Sequence, residues 1–183
     1  STSQTPQTTG SHPIQPSHKH IIITHKENAL QSGIRMGLPV IKREHPDFFA
    51  LKYLCAILGG YFGSRLMSNI REEKGYTYGI TATIAAMRHG SYLSIATQTG
   101  TEFTRSLIDE VFSEIDRLRT EPVPANEMTI VRNYLRGELA RALDSPFSIA
   151  DYYLSLKANA LPVEYFARQD EAIRQLTPDR LLS

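Results

Sequence analysis

Two side chains that could stabilise a reacting carbonyl group lie seven residues apart, Arg71 and Tyr78. An arginine presents a planar fork of donors to a carbonyl or carboxylate oxygen, and a tyrosine hydroxyl can donate a hydrogen bond to an oxyanion. Arg71 is predicted near the end of a short helix, and Tyr78 three residues into the strand that follows a turn at Gly75. Such a corner can bring both side chains to one place. The alternative is that Arg71 is a surface charge beside Glu72 and that Tyr78 is an aromatic residue of the core.

The same stretch, LGGYFGSRLMSNIREEKGYTYGI, opens with a cluster of glycines, Gly59, Gly60 and Gly63. A phosphate-binding loop needs G-x-x-x-x-G-K-[ST], because its lysine reaches the terminal phosphates. That lysine is missing, the dinucleotide pattern G-x-G-x-x-G is also missing, and the preceding segment is predicted as a helix rather than a strand. We therefore interpret the glycines as a flexible connection between two helices, with Ser64 as the N-cap of the second.

Metal and nucleophile chemistry find little support in the remaining sequence. The histidines are His12, His18, His20, His25, His45 and His89. The patterns H-E-x-x-H and H-x-x-E-H, which place zinc ligands on one helix face, do not occur. His18 and His20 could chelate a metal weakly from one strand face, but no partner ligands are identifiable. No G-x-S-x-G elbow is present, and the single cysteine, Cys55, is predicted to be a buried, inert thiol.

Composition indicates an ordinary globular domain of 183 residues, with 41% hydrophobic and 21% charged residues. The formal net charge of +1 excludes the broad basic surface of a nucleic-acid-binding protein. No apolar run approaches the ~18 residues that indicate a membrane span. Residues 1–17 are polar, lack the apolar region of a secretory leader, and are predicted to be a disordered linker. Residues 18–183 are predicted to form one domain, and its compartment stays open between bacterial periplasm and cytoplasm.

The order of the predicted elements favours an α+β fold. Alternation and β-branched content predict strands at 18–26, 32–40, 76–87 and 91–99. A helix is expected to begin at Pro46 and Asp47, and its apolar residues lie around most of its circumference. After Gly100, helical spacing predicts four helices, and Thr177 and Pro178 resemble the start of another. We expect an antiparallel sheet of about four strands, covered on one face by helices, with a further helix and strand beyond Ser183.

The stretch at 58–80 resembles the C-terminal-domain signature of the insulinase/pitrilysin family of zinc metallopeptidases, which includes the mitochondrial processing peptidases. The shared features are the glycine bend, "SRL", "NIRE-KG" and an aromatic strand. The following strand GSYLSIAT and the four helices agree in order, so the similarity covers most of residues 18–183.

The resemblance implies paired α+β domains that close like a clamshell around a peptide. In that family zinc lies on an H-x-x-E-H helix in one half, and the opposite half supplies an arginine and a tyrosine that match Arg71 and Tyr78. Their implied roles are to hold the substrate backbone and to stabilise the oxyanion of the tetrahedral intermediate. The zinc motif is missing here, so this chain alone is expected to be inactive, with zinc in a partner domain or subunit.

The glycine bend is then expected to lie beside the bound peptide, where Gly59, Gly60, Gly63 and Ser64 are candidate substrate-binding residues. Two alternatives to a substrate-binding domain stay open at this point. One is a degenerate module of the same fold that serves assembly. The other is a small-ligand-binding domain that uses the glycine bend.

Overall fold

The computed structural model describes residues 21–88 and 90–182. Three strands are present in this part of the chain: β1 (Gln31–Val40), β2 (Ile80–Ala86) and β3 (Ser91–Gly100). Helix α1 (Phe48–Gly59) and a π-helix (Met67–Glu73) lie between β1 and β2. A 3-10 turn (Thr101–Phe103) follows the sheet and leads to α2 (Thr104–Thr120), α3 (Ala125–Arg141), α4 (Pro146–Ala158), α5 (Tyr165–Gln175) and α6 (Pro178–Leu182).

The strands form an antiparallel sheet in the order β1-β3-β2. Alternate residues, including Ile34, Ile80 and Ile95, are buried in a core shared with α1 and α2. The intervening residues point away from the helices because side chains alternate along a strand. We call this second surface the open sheet face: Gly33, Arg35, Gly37, Thr81, Thr83, Ser94, Ala96 and Gln98. The predicted α+β fold, with helices on one face of an antiparallel sheet, is confirmed.

The strand predicted at 18–26 is not observed. Residues 18–20 lie outside the described residues, and residues 21–26 have no regular secondary structure. Ile21, Ile22 and Ile23 are exposed and pair with no strand in the described part of the chain. A run of β-branched residues favours a strand only where a neighbour can accept its hydrogen bonds. The described sheet therefore has three strands instead of about four.

Helix α1 is buried on two sides, as its apolar pattern predicted. Leu58 and Cys55 pack into the core beneath the sheet. Tyr53 and Ile57 pack into a second core formed with α3, α5 and α6. The Tyr53 hydroxyl donates to the Met128 carbonyl oxygen at 2.5 Å, so this buried hydroxyl is satisfied. Helix α1 therefore joins the sheet to the later helices and fixes the position of the glycine bend at its C-terminus.

The helix that carries Arg71 differs from the prediction at its start and in the width of its turns. The carbonyl oxygen of Ser64 accepts from the Ser68 N–H at 2.9 Å, but the buried Ser64 hydroxyl has no partner, so the predicted side-chain cap is wrong. Residues 67–73 form wide π-type turns, and the Lys74 N–H reaches the Asn69 carbonyl oxygen at 3.1 Å. Gly75 ends the helix with φ of 66°, as expected of a C′ glycine.

Across the described residues, no helix combines the length and the apolar content that crossing a bilayer requires.

Candidate functional site

Tyr78 lies in the loop before β2, next to the open sheet face, with 95% of its surface exposed. It contributes to a shallow cavity of about 330 Å³. The cavity is lined by Gln31, Arg35, Thr77, Tyr78, Gly79, Thr81, Ala96, Thr97 and Gln98. The alternative interpretation of Tyr78 as a core aromatic is wrong. Tyr76 and Ile80 pack against the core, whereas Tyr78 points to solvent.

Tyr78 faces solvent because β2 begins at Ile80. The alternation in the sequence had predicted that this strand begins at Tyr76. Both backbone groups of Tyr76 are already used. Its N–H donates to the Ile70 carbonyl oxygen at 3.0 Å, and its carbonyl oxygen accepts from the Thr99 hydroxyl at 2.6 Å. The ring of Tyr76 also stacks on Phe103, with centroids 4.9 Å apart. Residues 76–79 are therefore a loop fixed to the edge of the sheet.

Threonine hydroxyls anchor this loop on both sides of Tyr78. The buried Thr77 hydroxyl accepts from the Gly79 N–H at 3.1 Å and donates to the Gln98 carbonyl oxygen at 2.6 Å. The Thr97 hydroxyl donates to the Gly79 carbonyl oxygen at 2.9 Å and lies 2.9 Å from the Thr77 hydroxyl. These bonds replace a strand ladder, so the backbone of Tyr78 is held although its side chain contacts solvent.

The side chain of Arg71 lies over the glycine bend. Its guanidinium carbon is 4.6 Å from the centroid of the Phe62 ring, within the range of a cation–π interaction. Among the described residues, Arg71 forms no ion pair. Phe62 is itself 64% exposed, so the stacked pair is a surface feature. The N–H groups in the plane of the Arg71 guanidinium are available to a ligand, because stacking uses only the face of that group.

The glycine bend is pinned by aromatic contacts rather than flexible. The rings of Tyr61 and Tyr134 stack with centroids 5.2 Å apart, and the Tyr134 hydroxyl donates to the Gly60 carbonyl oxygen at 3.0 Å. Tyr61 thus turns inward, while Phe62 turns outward beneath Arg71.

The candidate substrate-binding residues of the bend separate into two groups. Gly59 and Ser64 are buried. A Cβ at Gly59 would approach the Ala82 backbone nitrogen to 2.7 Å, so this glycine allows α1 to pack closely on β2. Gly60 and Gly63 are more accessible and flank Phe62. Only this second group is placed where a peptide could contact it.

Arg71 and Tyr78 do not contact each other in the described structure, and Arg71 does not line the cavity that contains Tyr78. Sequence reasoning missed Phe62, Thr77 and the threonines of β3. A signal for the threonines was present, because Thr97 and Thr99 occupy core-facing positions of β3 where apolar residues are expected. Phe62 had no comparable signal.

A second cavity of about 430 Å³ lies beside the π-helix. We call it the charged groove; it is lined mainly by Arg65, Asn69, Lys74, Glu114, Arg117 and Glu127. Arg65 forms a bidentate ion pair with Glu127, at 3.0 and 2.8 Å. Hydrogen bonding to Glu127 raises the pKa of Arg65.

Most of the other charges of the groove are also paired. Glu114, only 2% exposed, accepts from Asn69 at 2.8 Å and from Arg117 at 3.1 Å. Lys74 donates to Glu110 at 2.8 Å, which lowers the pKa of that carboxyl group. Charged groups that satisfy one another in this way indicate a structural role.

Zinc does not fit the described residues. No group of three or more histidine, cysteine, aspartate or glutamate side chains in residues 21–88 and 90–182 could hold a metal ion. His18 and His20, the weak chelating pair, lie outside these ranges. Burial raises the pKa of the Cys55 thiol to about 11, which confirms the predicted inert thiol.

Comparison with known proteins identifies this architecture. The family model of the peptidase M16 inactive domain matches residues 1–135. The uncharacterized zinc protease YmxG of Bacillus subtilis is 24% identical over 123 residues, which are 67% of this chain and 30% of YmxG. The match thus spans less than a third of that relative's length.

Two solved structures share the fold. The peptidase M16 inactive domain from Pseudomonas fluorescens is 25% identical with a TM-score of 0.75, over 83% of this chain and 36% of that one. An inactive peptidase domain from Bordetella parapertussis is 14% identical with a TM-score of 0.74, over 87% of both chains. The second structure is the inactive peptidase domain of a protein described as a zinc protease. The resemblance of residues 58–80 is confirmed: the chain belongs to the peptidase M16 family and corresponds to its inactive domain.

Proposed function

We propose that this chain is the substrate-binding domain of a zinc metallopeptidase that hydrolyses peptides. The zinc-bearing domain or subunit is its partner, and the peptide lies between the two. Tyr78 donates a hydrogen bond to the oxyanion of the tetrahedral intermediate, and Arg71 binds the peptide backbone. The single observation that carries this proposal is the exposure of Tyr78 on a loop whose backbone is held by buried hydrogen bonds.

An oxyanion donor must be in position before charge develops, because reorienting it during the reaction would consume part of its benefit. The hydrogen bonds of Thr77 and Thr97 support such a role, since they fix the residues on either side of Tyr78. The Tyr78 hydroxyl has no hydrogen-bond partner among the described residues, so no existing bond must break before it meets a substrate oxygen.

Arg71 and Tyr78 need not touch each other in this proposal, because they bind different parts of the peptide. Stacking on Phe62 restricts the guanidinium of Arg71 while its edge stays available for carbonyl oxygens. The backbone of Gly60 and Gly63, beside Phe62, extends the same contact surface. Zinc, when bound in the other domain, supplies the Lewis acid and activated water of the reaction.

Reconstitution with the zinc-bearing domain or subunit tests the proposal. We expect Tyr78→Phe to lower kcat/KM for peptide cleavage by about 100-fold, the typical cost of losing one oxyanion donor. Arg71→Ala should reduce kcat/KM chiefly through a higher KM, because it removes a binding contact. Tyr153→Phe and Arg105→Ala, which alter exposed helical residues, are the matched controls and should leave kcat/KM unchanged.

If both Tyr78→Phe and Arg71→Ala retain full kcat/KM in the reconstituted enzyme, the assigned roles are wrong. The domain would then serve assembly, and its removal should dissociate the complex without a specific loss of substrate binding.

A further inference from the structure

Arg35 lies midway along β1, an edge strand of the described sheet, on the open sheet face and in the same cavity as Tyr78. On this face it is flanked along β1 by Gly33 and Gly37, and it lies opposite Ala96 on β3. A Cβ placed on Gly33 would meet no atom within 4 Å. The neighbours of Arg35 on β1 and β3 are therefore small and leave space on this face, and the cavity also contains Tyr78 and Gln98.

The guanidinium of Arg35 is largely unused by the fold. Its only hydrogen bond among the described residues runs from Nη1 to the carbonyl oxygen of Ile34, at 3.0 Å. A guanidinium has five N–H donors, so most of its capacity is available. Arg35 forms no ion pair in the described part of the chain, and the cavity lining contains no carboxylate.

This isolation contrasts with the arginines of the charged groove. Arg65 and Arg117 are both paired with glutamates in the charged groove. Arg35 is exposed and flanked by small residues, so packing does not explain its length or its charge. The neighbouring polar side chains, Thr81 and Gln98, can donate further hydrogen bonds to a bound anion.

We propose that Arg35 is a specificity residue that binds a carboxylate of the peptide held by this domain. The inference rests on the proposed function, because it requires a peptide across the open sheet face near Tyr78. The carboxylate comes either from an acidic side chain or from the C-terminus of the peptide, since both offer the paired oxygens that an arginine fork binds. The enzyme therefore prefers acidic peptides, or peptides with a free C-terminus, over their uncharged counterparts.

The test uses the complete peptidase and a set of matched peptides. In one arm a single glutamate is moved along the peptide and compared at each position with glutamine. In the other arm the C-terminal carboxylate is compared with the C-terminal amide. We expect the wild type to favour the carboxylate about 5-fold in kcat/KM in one of the two arms, the upper range for an exposed ion pair.

Arg35→Gln should abolish this preference while kcat/KM for the uncharged peptides is unchanged. Arg35→Glu should reverse it, so that lysine is favoured at the position where glutamate was preferred. Gly33→Glu offers an independent check, because a carboxylate two residues away on the same face would occupy Arg35. Gly33→Glu should lose the carboxylate preference as Arg35→Gln does, whereas Gly33→Gln, with a side chain of the same size, should keep it.

The proposal is overturned if Arg35→Gln leaves the carboxylate preference intact or lowers kcat/KM equally for charged and uncharged peptides. Failure of the proposed function gives a different result, in which Tyr78→Phe and Arg71→Ala leave cleavage unaffected. If those two variants are impaired but Arg35→Gln is not selective, only the assignment of Arg35 fails.

Discussion

At the open sheet face, Tyr78 has no hydrogen-bond partner among the described residues, and Arg35 bonds only to a backbone carbonyl oxygen. In the charged groove, beside the π-helix, Arg65 and Glu127 bind each other through two hydrogen bonds. Glu114 there accepts from two donors although it is almost completely buried. Both regions are cavities of similar size.

The difference teaches that the number of polar residues does not identify a binding site in this domain. The charged groove contains more ionisable groups, but most of its charges pair with one another. The cavity on the open sheet face contains one charged side chain, Arg35, which forms no ion pair with the described residues. Substitutions in the groove should therefore reduce the free energy of unfolding, whereas those on the open face should reduce activity.

The largest effect on the free energy of unfolding is expected at Glu127, in the charged groove. Glu127→Ala should lower the free energy of unfolding by about 2 kcal/mol, because it leaves the mostly buried Arg65 without its partner. Chemical denaturation measures this loss, and kcat/KM of the reconstituted enzyme should be unchanged.

Replacing both partners, as Arg65→Met with Glu127→Leu, should recover most of the stability, since neither charge is then left alone. A loss of activity in Glu127→Ala that exceeds the loss of folded protein would break the distinction between the two regions.

A smaller loss of stability is expected at Thr77. This residue is next to Tyr78, so its substitution should affect both the free energy of unfolding and activity. Thr77→Val keeps the shape of the side chain but leaves the Gly79 N–H and the Gln98 carbonyl oxygen without the hydroxyl. We expect a loss of about 1 kcal/mol in the free energy of unfolding. Because Tyr78 loses its anchor, kcat/KM should also fall, by roughly tenfold.

Thr129→Val, on the exposed surface of α3 and outside both cavities, is the matched control and should leave kcat/KM unchanged. Unchanged activity in Thr77→Val would show that the anchored loop does not position Tyr78 for catalysis.

The smallest effect concerns the pH dependence of the Lys74–Glu110 pair at the rim of the groove. The hydrogen bond from Lys74 lowers the pKa of Glu110 below its ordinary value of 4.5. A carboxyl group with a lowered pKa contributes stability above that ordinary value, and the contribution is lost as the pH falls through the lowered pKa. The Tm difference between wild type and Glu110→Gln should therefore be small and positive at pH 7 and should shrink towards pH 3. A difference that grows on acidification would contradict the assigned pairing.

Much of the fold follows from periodicity in the sequence. Alternation places β1 and β3, and helical spacing places α2 to α5 close to their observed bounds. The departure at residues 76–79 has a physical cause, which is that side chains supply hydrogen bonds in place of a strand ladder. Residues 76–79 alternate like a strand, but Thr99 and Ile70 occupy the backbone groups of Tyr76 and keep the loop out of the ladder.

The candidate site was only partly predictable from the sequence. Arg71 and Tyr78 stand out by type and by resemblance to the family, but their orientation depends on contacts with residues distant in sequence. Phe62 receives the guanidinium of Arg71 from nine positions away, and Arg35 reaches the cavity of Tyr78 only because β1 pairs with β3. Such long-range placement leaves no trace in local spacing.

The π-helix has a consequence for how the length of this segment can vary. A turn closed between residues five apart holds one residue more than an α-helical turn, and Arg71 lies within that wide stretch. Removing one residue between Met67 and Glu73 would let an ordinary α-helix form, and each residue step rotates a side chain by roughly 100° about the axis. The guanidinium of Arg71 would then no longer stack on Phe62, although the residues on either side of it were unchanged. Alignments of this segment therefore have to conserve the number of residues before Arg71, and not only the motif that contains it.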